Sequence, residues 1–237
     1  MKKILLLAFT ATMMLSACKK DKGGDEVETI PTCAIVKTVE RWNNTEYIGT
    51  DVFKFDEQGR VIDDGWATYE YYTDRIITTD SDSDPADPRI TTHTLDAQGR
   101  IIKQEGYYGN STYEYNNDGY LIKANGTTFT WESGNLVKAV EVFGSTSYIT
   151  NITYGNDIIT DKLVAGFIFG GIYANEWYLL DYFGKQPKNA PIIEQRGTTT
   201  DTYSYMKDNK GKINGYKVTK DGESTPHWEY TVDYNCK

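Results

Sequence analysis

Histidine, methionine, proline and cysteine are all scarce in this 237-residue chain, at 2, 4, 6 and 3 residues. With only His93 and His227, and neither at ligand spacing from a cysteine or a second histidine, a zinc site is excluded. Neither a Gly-x-Ser-x-Gly elbow nor a phosphate-binding glycine loop occurs, and no cofactor is expected. Basic residues are in the minority, 25 against 34 acidic, for a net charge of −9. A chain of that sign repels phosphate backbones and anionic headgroups, so nucleic acid is not an expected partner and no basic patch holds it to a membrane. No apolar run reaches the roughly 20 residues of a spanning helix. What is abundant is tyrosine, at 19 residues, with many threonines, a strand composition rather than a helix composition.

The N-terminus reads as an export signal. Lys2 and Lys3 precede the apolar run Ile4–Leu15, and Leu15-Ser16-Ala17-Cys18 follows. This ending resembles the lipobox of bacterial lipoproteins, which implies cleavage before Cys18 and acylation of its sulfur. Residues 1–17 are then a signal peptide, and loss of Lys2 and Lys3 takes the net charge from −9 to −11. Residues 18–30 are polar and glycine-rich, a flexible tether, and residues 31–237 form one β domain. By resemblance, Lys19 rather than aspartate after the cysteine implies the outer membrane, on its periplasmic face or at the cell surface. Lys20-Asp21 and Asp25-Glu26 faintly resemble the acidic export signal of surface lipoproteins.

A loose repeat of strand, glycine turn and strand runs through the domain. Its clearest copies are Phe55-Asp56-Glu57-Gln58-Gly59-Arg60-Val61, Leu95-Asp96-Ala97-Gln98-Gly99-Arg100-Ile101 and Tyr115-Asn116-Asn117-Asp118-Gly119-Tyr120-Leu121, with weaker ones near Gly134, Gly155 and Gly211. Asp and Asn favour the turn, and glycine supplies its positive φ. The flanks alternate with period two, as in Phe53/Phe55, Tyr69/Tyr71, Tyr113/Tyr115, Phe129/Trp131, Tyr203/Tyr205 and Trp228/Tyr230/Val232/Tyr234. The pattern predicts an all-β fold, an antiparallel meander curled into a barrel or near-barrel. Runs of six to eight residues fall short of a membrane-spanning strand, so the barrel is expected to be water-soluble with its rings inside. The hairpin unit is similar to the YD repeat of secreted Rhs-type shells, matched at Asp56, Asp96, Gly59-Arg60 and Gly99-Arg100.

One stretch departs from alternation. Leu163–Phe169 reads as a strand and Tyr173–Phe183 as the single short helix, stopped by Gly184 and Pro187. With the lipobox, the tyrosine hairpins and Tyr182-Phe183-Gly184-Lys185-Gln186-Pro187-Lys188-Asn189-Ala190-Pro191, the chain resembles bacterial lipoproteins carrying a domain of unknown function with a porin-like β fold. That resemblance implies a fold and no activity.

Setting Cys18 aside for lipid leaves Cys33 and Cys236, which an exported protein would either pair, making the first and last strands neighbours, or leave as thiols. Function is less legible. Trp42, Trp66, Trp177, Tyr107 and Tyr108 lie near turns or the helix, where rings can meet sugars, so a non-enzymatic glycan-binding accessory is the expected role, with the membrane as partner through Cys18. The alternatives are a structural subunit docking to another envelope protein and a hydrolase built on paired carboxylates. The Asp80–Asp87 run lacks the glycine and glutamate of a calcium loop and reads as a solvated hairpin. Millimolar calcium is therefore expected to leave the melting temperature unchanged; a rise of several degrees would make this run a calcium site.

Overall fold

The computed structural model describes residues 33–42, 45–107, 109–173 and 177–234. They build a closed antiparallel barrel in which each strand pairs with its neighbours in sequence and the last returns to the first. The wall runs through β1 (Cys33–Trp42), β2 (Thr45–Phe55), β3 (Val61–Asp63), β4 (Ala67–Tyr71), β5 (Arg75–Asp80), β6 (Ile90–Leu95), β7 (Ile101–Gly106) and β8 (Ser111–Tyr115). It continues through β9 (Leu121–Ala124), β10 (Thr127–Glu132), β11 (Asn135–Phe143), β12 (Thr146–Tyr154), β13 (Pro191–Arg196), β14 (Thr199–Lys207), β15 (Ile213–Lys220) and β16 (Trp228–Asp233). β1 and β16 close the seam in the register Ile35↔Asp233 to Glu40↔Trp228.

The alternating rings point inward. Phe53, Tyr69, Tyr113, Phe129, Tyr216 and Tyr230 are buried in one core with Ile76, Ile101, Leu121 and Leu136. The outer wall carries cross-strand ion pairs instead, Lys54–Asp63 at 2.6 Å, Lys123–Glu114 at 2.9 Å and Lys217–Glu229 at 3.1 Å. Charges on that face suit water and are costly against lipid.

The sequence repeat has a local cause. Asp56 Oδ1 accepts the N–H groups of Gln58 (3.0 Å) and Arg60 (2.9 Å), and its Oδ2 accepts Arg60 Nε at 2.7 Å. Asp96 repeats this with Gln98, Arg100 and Arg100 Nε at 2.9, 2.9 and 2.8 Å. Gly59 and Gly99 turn the chain at φ of 73° and 76°. The guanidinium groups of Arg60 and Arg100 then lie 4.2 and 4.5 Å over the rings of Tyr71 and Tyr115.

A second regularity was not visible in the sequence. Five of the six register breaks among the described residues, at Lys54/Phe55, Thr94/Leu95, Glu114/Tyr115, Thr130/Trp131 and Thr153/Tyr154, place Val61, Ile101, Leu121, Leu136 and Pro191 at bulges; the sixth, at Met206/Lys207, lies opposite Ile213. Each bulge removes one carbonyl from the ladder. At the first five, an interior aromatic further along the wall supplies the missing donor: Tyr71 to Val61 O (2.6 Å), Tyr115 to Ile101 O (2.6 Å), Trp131 Nε1 to Leu121 O (2.7 Å), Tyr154 to Leu136 O (2.7 Å), and Tyr205 to Pro191 O. Burial raises the pKa of each of these four phenols, which keeps them protonated as donors.

Residues 155–173 and 177–190 plug the barrel at the end where the Asp–Gly turns lie. Leu163–Phe169, expected as a strand, lies instead in helix α1 (Lys162–Tyr173). The run carries no alternation to separate strand from helix. β12 already pairs directly with β13, so the sheet has no place for it. Asp161 decides the outcome locally: its Oδ1 accepts Leu163 N at 3.0 Å and Val164 N at 3.1 Å, capping the helix. Tyr234 donates to the same carboxylate at 2.9 Å. Within the expected helix 173–183, Trp177–Tyr182 forms a 3-10 helix, and residues 174–176 lie outside the described residues. Lys185 N to Gly119 O (2.9 Å) and Lys188 N to Gly134 O (2.9 Å) stitch the plug to the rim, and Phe183 packs edge-on against Tyr113 at 5.1 Å.

The substitution Tyr115→Phe keeps the ring and leaves the Ile101 carbonyl short of a partner. It is expected to lower unfolding free energy by about 1–3 kcal/mol in urea titration, whereas Tyr107→Phe, on an exposed ring, leaves it unchanged. Equal stability of the two variants would show that the aromatic latches are incidental.

Candidate functional site

Beside β2 the wall is thinly paired. That strand pairs with β1 over its whole length, from Cys33↔Lys54 to Trp42↔Thr45. On its other side it meets β3 only at Lys54 and Phe55, and β3 meets β4 only at Asp63↔Thr68. Among the described residues, positions 45–53 therefore have a strand on one edge only, and a notch opens between them and the β3–β4 turn.

Asp64 builds that turn. It is fully buried and accepts Trp66 N (2.7 Å), Ala67 N (2.7 Å) and the Tyr69 hydroxyl (2.8 Å). Its fixed turn throws Trp66 across the notch, where the indole N–H donates to Asp51 Oδ1 at 3.2 Å. Ser81 N donates to Trp66 O at 2.7 Å. The indole is thus held at its edge while the residue remains 64% exposed. Beside it lies a cleft of about 540 Å³ whose polar lining is Thr50, Asp51, Lys54, Asp63, Ser81 and Asp82. The Lys54 ammonium, then the Gly65 N–H, hold the Asp63 carboxyl below its ordinary pKa against the opposing effect of burial. Asp63 therefore keeps its charge further into acid than an ordinary aspartate.

A second cleft, of about 470 Å³, lies on the far side of the 81–89 loop and is lined by Asp84, Asp87, Arg89, Ile90 and Tyr107. Tyr107 is 63% exposed, its N–H donates to Ile90 O at 3.2 Å, and the Arg89 guanidinium lies 5.1 Å from its ring centre. Asp80 accepts from Arg89 at 3.1 Å and from Asp82 N at 2.8 Å, so the acidic run shapes its own loop. Among the described residues no group of three His, Cys, Asp or Glu side chains could hold a metal ion.

Of the five aromatics singled out in the sequence, Trp66 and Tyr107 are exposed and each edges a cleft. The side chains of Trp42 and Trp177, and Tyr108 as a whole, lie outside the described residues, as do Cys18 and Cys236. Sequence reasoning missed Asp51, Asp63 and Asp64, and read Asp82 only as part of the solvated Asp80–Asp87 loop. The cluster Asp63-Asp64-Gly65 directly before Trp66 is a turn signature that would have tied this tryptophan to a carboxylate-rich turn.

One carboxyl is unusual elsewhere. Glu194 faces Asp201 across β13 and β14 and accepts the Tyr203 hydroxyl at 2.8 Å. Burial raises its pKa; the Tyr203 hydrogen bond and Arg196 oppose this, and Asp201 adds to it. Neither cleft described above reaches this pair. A folded-state pKa above the unfolded one adds stability below the unfolded value, and that contribution is lost as pH rises through the folded pKa. Glu194→Gln should accordingly equal or exceed the parent in urea stability at neutral pH, with the gap closing below about pH 4. A less stable glutamine variant at neutral pH would refute this account.

No protein family and no curated protein sequence matches the chain. Solved structures do. A porin-like protein from Bacteroides uniformis superposes with a TM-score of 0.65 at 16% identity, covering 86% of this chain and 96% of that one. A porin-like protein from Bacteroides vulgatus gives 0.61 at 13% identity, over 88% and 99%. At such identities the likeness establishes the fold alone.

Proposed function

We propose that the chain is a lipid-anchored envelope protein of the outer membrane, attached through Cys18, whose barrel presents a glycan-binding cleft beside Trp66. The observation that carries the binding reading is the Trp66 indole, 64% exposed yet fixed by Asp51 and the Asp64 turn. An indole face offers apolar area to the C–H side of a sugar ring. The surrounding carboxylates and Ser81 accept or donate to its hydroxyls. A preorganised ring loses little freedom on binding. No catalytic step is assigned to the cleft. The anchor rests on the Lys2/Lys3, apolar and Leu15–Cys18 pattern, and a porin-like barrel is consistent with an envelope location.

A bridge between Cys33 and Cys236 belongs to the same proposal. It is supported by the β1–β16 seam, which pairs Ile35, two residues after Cys33, with Asp233, three residues before Cys236. A second reading, docking of another envelope protein, is favoured by the one-sided edge of β2, where Tyr47, Ile48 and Val52 are 59%, 59% and 46% exposed.

The test is a glycan array on the mature protein followed by titration of the best binder. Trp66→Ala should weaken binding at least tenfold, about 1.4 kcal/mol, with no loss of thermal stability because the ring lies mostly outside the core. A hit indifferent to Trp66, or silence across the array, would remove the glycan reading; a silent array with a partner captured through β2 would install the docking reading in its place.

A further inference from the structure

The two clefts share one loop. Ser81 and Asp82 line the Trp66 cleft, and Asp84, Asp87 and Arg89 line the Tyr107 cleft. Both ends of the loop are tied to the aromatic residues, through Ser81 N to Trp66 O and Tyr107 N to Ile90 O. Trp66 stands immediately before β4 and Tyr107 immediately after β7. Since β4, β5, β6 and β7 are consecutive neighbours in the wall, three strand spacings, ~14 Å, separate the two positions along one rim. That span exceeds a single sugar ring and suits a short chain of them.

Charge narrows the chemistry. The first cleft sets three aspartates against Lys54, and the second sets Asp84 and Asp87 against Arg89. Lys54 is itself held by Asp63 at 2.6 Å, and Arg89 is held by Asp80 at 3.1 Å. Both clefts therefore present excess negative charge beside an exposed ring. Uronic or sulfated chains would meet like charge there, and chains carrying ammonium groups would meet the opposite charge.

Resting on the glycan reading above, we infer that the Trp66 and Tyr107 clefts are two subsites of one track for an extended oligosaccharide bearing free amino groups. Trp66 and Tyr107 stack on rings at its two ends, and the 81–89 loop supplies the carboxylates between.

The probes are glucosamine oligosaccharides from disaccharide to hexasaccharide, titrated calorimetrically onto the detergent-solubilised mature protein in mild acid. Fully N-acetylated and oligogalacturonate hexamers of the same length serve as comparisons. The expected result is at least a tenfold gain from disaccharide to hexasaccharide. Tyr107→Ala should abolish that gain while leaving the disaccharide unaffected, and Trp66→Ala should weaken both. The amino hexamer should bind at least tenfold more tightly than either comparison. If Tyr107→Ala leaves the hexamer untouched while Trp66→Ala weakens it, the track is overturned and the single-cleft reading survives. If the acetylated or acidic hexamer binds as well, the amino-sugar assignment is overturned. Indifference of every oligosaccharide to both variants overturns the track and the single-cleft reading together.

Discussion

A barrel closed from short strands must bend, and five bulges here each strip one carbonyl of its ladder partner. Inside a dry wall that carbonyl cannot turn to water, and leaving it unsatisfied is costly. The interior tyrosines, with Trp131, meet this requirement. Each places its ring in the core and its polar tip on the carbonyl of Val61, Ile101, Leu121, Leu136 or Pro191. The heavy use of tyrosine, and its preference over phenylalanine at these positions, follows from one demand: an apolar body with a donor at its far end. Curvature, core and composition are three consequences of the same bulges.

The plug obeys the same logic. Tyr234, beyond β16, donates to Asp161, and Asp161 caps α1. Helix start, seam and core are thereby joined through one buried carboxylate. Where this consistency relaxes, beside β2, the wall opens. β3 is three residues long and cannot cover an eleven-residue neighbour. The fixed, exposed indole of Trp66 sits at that opening, so the candidate site is a by-product of strand-length mismatch held in place by Asp64.

The local chemistry was readable in advance. Asp56-x-x-Gly59-Arg60 and its copies are closed by contacts within five residues, so spacing alone reveals them, and period-two rings identify the inner face. The apolar run Leu163–Phe169 was misread because a continuous run satisfies strand and helix alike. Only the direct pairing of β12 with β13 excludes it from the sheet. Trp66 was marked as lying near a turn, but its partner Asp51 is fifteen residues away, on a strand whose register with β1 had to be known first. Asp63 and Asp64 went unnoticed among 34 acidic residues although the Gly65 that follows them marks a turn, and Asp82 was read only as part of the solvated Asp80–Asp87 loop.

By itself the sequence determined an all-β, tyrosine-lined meander with Asp–Gly turns, since alternation and turn chemistry act over a few residues. Only the tertiary structure decided that β16 meets β1, that the hydroxyls of the rings answer the bulges, that the apolar run becomes a plug, and that the wall is breached beside β2. Those outcomes depend on which carbonyls and edges remain unpaired after closure, and that remainder is a property of the whole ladder, which no single segment encodes.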